Sequence, residues 1–169
     1  MLSERELAFI AIHKNSYPSV FRFVRRRVES AEIAEEIAAD VFRVVWQKWD
    51  DDSQPDIPYL LTVARNLVGN AYRSRDRQQA LQEKLRTTAV ERFGDDSENV
   101  VVQDAMARLR EQDRDILQLA YWDGLGCAEI ARVLNCSESA AKVRLHRARG
   151  AFRKQLPAGV ETTTHKMGV

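Results

Sequence analysis

Residues 126–155, GCAEIARVLNCSESAAKVRLHRARGAFRKQ, leave few folds open. Ala128, Ile130, Ala131, Val133 and Leu134 give a short apolar helix. Asn135 tolerates the left-handed conformation in which many helices end. Ser137, two residues on, is a strong N-cap for a second helix. The segment therefore reads helix, tight turn, helix. At about 100° per residue, Ala141, Leu145, Ala148 and Phe152 of the second helix share a narrow arc and should pack inward. Ser139, Lys142, Val143 and His146 lie opposite, flanked by Arg147, Arg149 and Arg153. Arg144 falls nearer the packed side, which suits backbone contact or bracing of the domain.

Such a helix, apolar on one face, cationic on the other and preceded by a short helix and turn, has the geometry that enters the major groove of DNA. Lys and Arg can bond guanine edges there, and a Val methyl can touch thymine. Flanking arginines suit phosphates. The plainer alternative is a solvated basic helix on an ordinary bundle. The small Ala141 and Ala148 on the packed side and the short helix before the turn argue for DNA. A net charge of +1 would not by itself suggest a nucleic-acid binder. Its distribution does: residues 1–77 hold twelve Lys/Arg and twelve Asp/Glu, whereas residues 137–155 hold six Lys/Arg and a single acid, Glu138.

The rest of the chain extends the helical reading. With 169 residues, 44% apolar, it can bury a core as one large domain or two small ones, and Gly (7) and Pro (4) are too sparse for a turn-rich sheet protein. Helical periodicity runs over 5–28, with Pro18 placed to open a second helix. Ser30 can cap a helix reaching about Trp49, which DDDSQPD (50–56) should end. A third helix is expected from Ile57 to about Arg75, and a second set over 98–109, 111–123, 127–134 and 138–155. Residues 78–97 are polar and lack an apolar stripe, and FGDDSEN reads as a loop. The expectation is an all-α chain of two helical domains, 1–77 and 98–156, joined by a polar linker at 78–97. The tail 157–169 is expected to be disordered.

Several function classes are disfavoured. No apolar run approaches the roughly 20 residues that span a bilayer, and MLSEREL lacks the basic and apolar regions of a signal peptide. The chain is expected to be cytoplasmic, with no membrane insertion. Cys127 and Cys136 stand nine apart with no His or Cys at metal spacing, so they are read as small buried apolar residues. A redox pair is the alternative. His13, His146 and His165 are scattered and the acids sit on solvated faces. No placed base or metal cluster emerges, so neither enzyme activity nor a metal or cofactor is expected.

The helix over 32–49 carries an apolar arc of about 220°, much wider than the roughly 100° a surface helix needs. Ile33, Ile37, Val41 and Val44 hold one side, and Phe42, Val45, Trp46 and Trp49 extend it. Either the helix is buried from both sides, or one margin, near Asp40, Arg43 and Trp46, receives another protein. Residues 57–77 combine aromatics, amides and arginines: Tyr59, Arg65, Asn66, Asn70, Tyr72, Arg73, Arg75 and Arg77. Those are the groups needed to hold an unstacked base and follow a strand. Core packing remains open for the two tyrosines, and solvated surface for the last three arginines.

Taken together, these segments resemble the extracytoplasmic-function class of sigma factors, transcription initiation factors of the sigma-70 family. Residues 109–156 resemble the sigma-4 domain through Gly124-Leu125, Glu129-Ile130-Ala131 and Lys142, Arg144, Leu145, Arg147, Ala148 and Arg149. Arg110-Glu111 stand where Pro-Glu is usual, and Ala140-Ala141 where Thr-Val is usual. AEEIAADVFRVVWQKW (34–49) and PYLLTVARNLVGNAYRSRDR (58–77) resemble the two sigma-2 segments that meet polymerase and read the −10 element. A stand-alone helix-turn-helix regulator would not need the 34–49 helix. The resemblance covers about residues 5–155.

The resemblance implies −35 recognition by Ser139, Lys142, Val143, Arg144, His146, Arg147, Arg149 and Arg153. It implies −10 recognition and opening by Tyr59, Arg65, Asn66, Arg73, Arg75 and Arg77, with the loop at 50–58. Glu36, Asp40, Phe42, Arg43 and Trp46 would meet the clamp helices of bacterial core RNA polymerase, with Glu35 adding charge complementarity. An anti-sigma factor is a further implied partner. A linker of 20 residues could reach about 66 Å fully extended, enough for two domains to hold separate promoter elements.

Overall fold

A computed structural model of the chain describes residues 1–52, 54–81 and 97–158, with the side chains of 79–81 and 97–99 excepted. Every regular element among them is helical. The chain divides into two compact units, the first holding three helices and the second four. Residues 82–96, which make up most of the expected linker and the first part of the expected loop at 93–99, and the expected disordered tail from 159 onward lie outside the described residues.

In the first unit α1 spans Glu4–Arg25, α2 Ala31–Gln47 and α3 Ile57–Leu81. Ser3 opens α1: its hydroxyl accepts the Glu6 N–H at 3.2 Å, and the Glu6 carboxylate accepts the Ser3 N–H at 2.7 Å. The Ser3 N–H foremost, and the Ser3 hydroxyl beside the carboxylate second, hold the Glu6 carboxyl below its ordinary pKa. Ser30 caps α2 by accepting the Ile33 N–H at 3.2 Å, and Asp56 caps α3 by accepting that of Tyr59 at 3.1 Å. The three helices pack pairwise around Val20, Phe23, Val24, Ala34, Ile37, Ala38, Val41, Phe42, Val45, Leu60, Leu61, Ala64 and Val68. α2 is thus covered by α1 and by α3, which accounts for its very wide apolar arc.

Two expectations are corrected here. Pro18 does not open a second helix, because α1 runs unbroken through it. An interior proline forgoes one backbone hydrogen bond and disfavours the preceding turn, but packing holds both halves. Phe9, His13 and Tyr17 before Pro18 contact Phe42 of α2, and Val20, Phe23 and Val24 after it are buried. The third helix continues past Arg75 to Leu81, into the segment read as linker. RDRQQAL offers no helix breaker, so the last turns propagate from a long nucleus.

In the second unit α4 spans Ser97–Ala107, α5 Glu111–Tyr121, α6 Cys127–Leu134 and α7 Glu138–Gln155. The start of α4 takes in Ser97–Asn99, the last residues of the expected loop FGDDSEN. α7 packs on α4, α5 and α6. The core joins Ala105, Met106, Leu109, Ile116, Leu117, Leu119, Leu125, Ile130, Ala131 and Val133 to Ala141, Leu145 and Ala148 of α7. Arg114 closes the end of α4, donating from Nε to the Met106 carbonyl at 3.0 Å and from Nη2 to that of Leu109 at 2.9 Å. Cys127 and Cys136 are half-buried free thiols rather than core residues.

Candidate nucleic-acid and partner interfaces

Local chemistry sets the turn that aims α7. Gly124 has φ +72°, a left-handed conformation that side-chain-bearing residues rarely adopt, and it turns the chain between α5 and α6. The Gly126 N–H donates to Glu129 Oε1 at 3.2 Å, fixing the start of α6. Asn135 ends α6 at φ 53° and ψ 54°, as its residue type suggested. Cys136 N–H then reaches back to the Ala131 carbonyl at 3.0 Å. Ser137 caps α7 by accepting the Ala140 N–H at 3.1 Å.

On α7, Ala141, Leu145 and Ala148 are buried and Phe152 half-buried, as the helical wheel required. Ser139, Lys142, Val143, Arg144, His146, Arg147 and Arg153 are all exposed. Val143 is an apolar side chain 49% exposed in the middle of that polar face. Arg144 faces solvent instead of bracing the domain. Lys142 reaches Glu138 at 3.5 Å, an exposed pair that is readily exchanged for another anion. Arg149 differs from the others. It is half-buried, its Nε donates to the Tyr121 hydroxyl at 2.5 Å, and its guanidinium lies 5.6 Å from that ring's centroid. Tyr121 was not singled out from the sequence. A contact 28 residues away leaves no local signal.

α3 sorts its candidates into two groups. Tyr59, Asn66, Asn70, Arg73 and Arg77 recur at helical spacing within roughly 60° of one another. Asn66, Asn70, Arg73 and Arg77 are exposed, Tyr59 is half-buried, and Arg73 donates to the Asn70 side chain. Asn70 therefore joins this strip, and the spacing 66, 70, 73, 77 could have revealed it. Arg75 lies on the other side, half-buried and ion-paired with Glu29. Arg65 is exposed but about 100° off the strip. One turn before Asp76 the Tyr72 hydroxyl donates to the Arg27 carbonyl, so Tyr72 and Arg75 tie α3 to the α1–α2 connection.

On α2 the candidates divide as well. Phe42 is 3% exposed, with the rings of Phe9, His13 and Tyr17 at 6.4, 4.6 and 6.1 Å. It belongs to the core, and only the floor of the open α1–α2 groove gives a partner any access to it while α1 stays in place. Trp46 is half-buried: Phe9 meets it edge-on at 5.1 Å, and Arg5 lies 4.4 Å over its ring while donating to its carbonyl at 2.9 Å. Glu36 and Arg43 are exposed, and Asp40 is half-buried and bonded to Arg43 at 2.9 Å. Phe9, Ile10, His13, Ala39, Arg43 and Trp46 line an open groove of about 510 Å³ between α1 and α2. No group of acids, histidines and cysteines among the described residues is placed to hold a metal ion, and none of the described helices is long and apolar enough to cross a membrane.

Comparison with known proteins places this geometry. Residues 12–78 match the family model "Sigma-70 region 2", and residues 100–152 match "Sigma-70, region 4". The ECF RNA polymerase sigma factor SigL of Mycobacterium tuberculosis is 27% identical over 154 residues, covering 86% of this chain and 87% of that protein. The ECF RNA polymerase sigma factor BldN of Streptomyces coelicolor is 29% identical over 160 residues, covering 89% of this chain but 61% of that protein. Among solved structures, the sigma factor RpoE bound to the anti-sigma factor NepR from Bartonella quintana superposes with a TM-score of 0.68 at 20% identity, over 87% of this chain and 95% of that one. CnrH in complex with the cytosolic domain of CnrY gives 0.63 at 20% identity, over 86% and 85%. Both likenesses are of fold. With both sigma-70 regions matched in order, and relatives of the ECF class aligned along most of the chain, this protein belongs to the extracytoplasmic-function class of the sigma-70 family.

Proposed function

We propose that the chain directs core RNA polymerase to promoters, reading the −35 element with α7 and the −10 element with α3, and that it promotes opening of the DNA there. The observation that carries this reading is α7. Seven polar, basic or contact-ready side chains stand in solvent on a helix whose opposite face is fixed by Ala141, Leu145 and Ala148. Nothing in the packing of the described residues of the second unit calls for that face. Lys142, Val143, His146 and Arg147 are placed to meet base edges, and Arg149 and Arg153 to meet phosphates.

The first unit supports the second half of the reading. Tyr59, Asn66, Asn70, Arg73 and Arg77 line one side of α3, where amides can bond a displaced base and arginines can follow the strand. Glu36, Asp40 and Arg43, with the uncovered part of Trp46, form the α2 margin offered to polymerase. Association by such a margin is steered by charge. Release from an anti-sigma factor is the regulation this reading carries, by analogy with the partners named for the RpoE and CnrH structures. The test is run-off transcription with core polymerase on a panel of −35 and −10 variants. Specific initiation that requires both the chain and the polymerase is expected. Tight promoter binding by the chain alone, with no gain from polymerase, would refute it.

A further inference from the structure

The Tyr121–Arg149 pair joins the end of α5 to the flank of α7, and, apart from a remaining lone pair on the Tyr121 oxygen, its unused hydrogen-bonding groups are donors. Arg149 Nε is taken by the Tyr121 hydroxyl oxygen. The four terminal N–H groups of the guanidinium, and the hydroxyl proton of Tyr121, have no acceptor among the described residues. No carboxylate of those residues pairs with Arg149. A guanidinium free to turn in solvent would lose rotamer entropy on binding. This one is already held, by one hydrogen bond and by its lie against an aromatic ring.

The position on α7 matters equally. Arg149 falls within roughly 40° of both Lys142 and Arg153 on the helical wheel. The three cations make one margin of the outward face. Lys142 is in the N-terminal turns of α7, which enter the groove and reach base edges, whereas Arg149 and Arg153 are in its C-terminal half. That C-terminal half of the margin is where a duplex backbone passes when a recognition helix lies in the major groove. A planar fork with fixed direction suits the paired oxygens of a phosphodiester.

We infer that Tyr121 and Arg149 together form a clamp for one backbone phosphate of promoter DNA, with Tyr121 the positioning residue that holds the Arg149 fork towards it. The inference rests on α7 being the DNA-reading helix and adds a contact from outside the helix-turn-helix itself. Tyr121 acts on grip and leaves base choice alone.

The experiment is promoter binding by the holoenzyme at several salt concentrations, on duplexes carrying a neutral methylphosphonate at successive positions of the −35 backbone. Arg149→Ala should weaken binding about tenfold or more on every −35 sequence and lower the salt slope by about 0.9. Tyr121→Phe should weaken binding about three- to tenfold while keeping base preference. Arg149→Lys should keep the slope, since the charge remains, yet lose affinity as Tyr121→Phe does, since Lys has no Nε to anchor. One methylphosphonate should weaken the parent chain and have little effect on Arg149→Ala. The double change Tyr121→Phe with Arg149→Ala should be no weaker than Arg149→Ala alone, because the two act on one phosphate. Additive losses, or an Arg149→Ala slope equal to that of the parent chain, would make the pair a brace between helices and overturn the clamp. Lys142→Ala separates the two levels of argument. If it still changes base preference, α7 reads DNA and only the clamp has failed; if it does not, the reading of α7 itself falls.

Discussion

Asp40→Arg is the substitution that best separates the two roles of α2. The Asp40 side chain is 38% exposed and that of Arg43 is 68% exposed, at 2.9 Å from each other. An exposed pair of this kind contributes about 0–1 kcal/mol. The new like-charge pair with Arg43, three residues on, adds about 0.2–0.5 kcal/mol. The folding cost should therefore stay below about 1.5 kcal/mol, within the roughly 5–15 kcal/mol by which domains are stable. At roughly 4–8 °C per kcal/mol for a unit of this size, the melting temperature should fall by no more than about 12 °C. Phe42→Ala, in contrast, should cost about 3–5 kcal/mol and threaten the unit itself. Reversing the charge at an interface steered by electrostatics should weaken polymerase binding at least about tenfold, about 1.4 kcal/mol. Titration of core polymerase with labelled chain at two ionic strengths, beside a thermal melt, measures both quantities. The loss should shrink at higher salt. A folded Asp40→Arg chain that binds polymerase as well as the parent at low salt would refute the assignment of this margin. A melting temperature lowered by 20 °C or so would refute the reading of Asp40 as surface.

Lys142→Ala should relax base preference within the −35 element, at about 1–3 kcal/mol for a lost bidentate contact. Arg153→Ala should weaken binding evenly across −35 variants and reduce the salt slope by about 0.9; identical patterns from the two would undo the division of α7 into reading and gripping residues. Asn66→Ala should impair promoter opening more than closed-complex formation, seen as reduced permanganate reactivity of the melted strand, and normal opening would move the role to the 50–58 loop. Gly150→Ala should stabilise the second unit. Gly150 is in the interior of α7 and an added Cβ would meet nothing within 4 Å. The gain should be about 1 kcal/mol, raising the melting temperature by about 4–8 °C. An unchanged or lower melt would mean that this part of α7 is under constraints its contacts do not reveal.

What could be read from the sequence was local chemistry. Ser30, Asn135 and Ser137 each act through a hydrogen bond or dihedral within a few residues, and the helix ends they mark lie where expected. The packed face of α7 was equally legible, because burial at a 3.6-residue period is written into Ala141, Leu145 and Ala148. What could not be read was tertiary. Pro18 looks like a helix start until tertiary packing holds α1 on both sides of it: Phe42 meets Phe9, His13 and Tyr17 before it, and Val20, Phe23 and Val24 after it are buried. Phe42 itself looked like an interface residue, since a sequence does not say which part of a wide apolar arc another helix will cover. Tyr121 and Arg149, Tyr72 and Arg27, and Arg75 and Glu29 meet across 28, 45 and 46 residues, and no periodicity connects them.

Both helices assigned to DNA share one construction. Each presents a polar strip to solvent and is fixed elsewhere by contacts that carry no sequence-reading role. α7 is held by its alanine and leucine face and by Tyr121. α3 is held by Leu60, Leu61, Ala64 and Val68 below, and by Tyr72 and Arg75 at its far end. A reading strip must be stiff, because each side chain or turn that orders on binding subtracts from affinity. It must also be exposed, because bases and phosphates arrive from solvent. These demands explain why the arginines divide. Arg75 and Arg149 are half-buried and partnered, whereas Arg73, Arg77, Arg147 and Arg153 extend into solvent along the same two helices. Being partnered does not mean the same thing for the two held arginines: Arg75 is ion-paired with Glu29, whereas Arg149 is held through its Nε alone, which leaves the rest of its fork for the proposed phosphate.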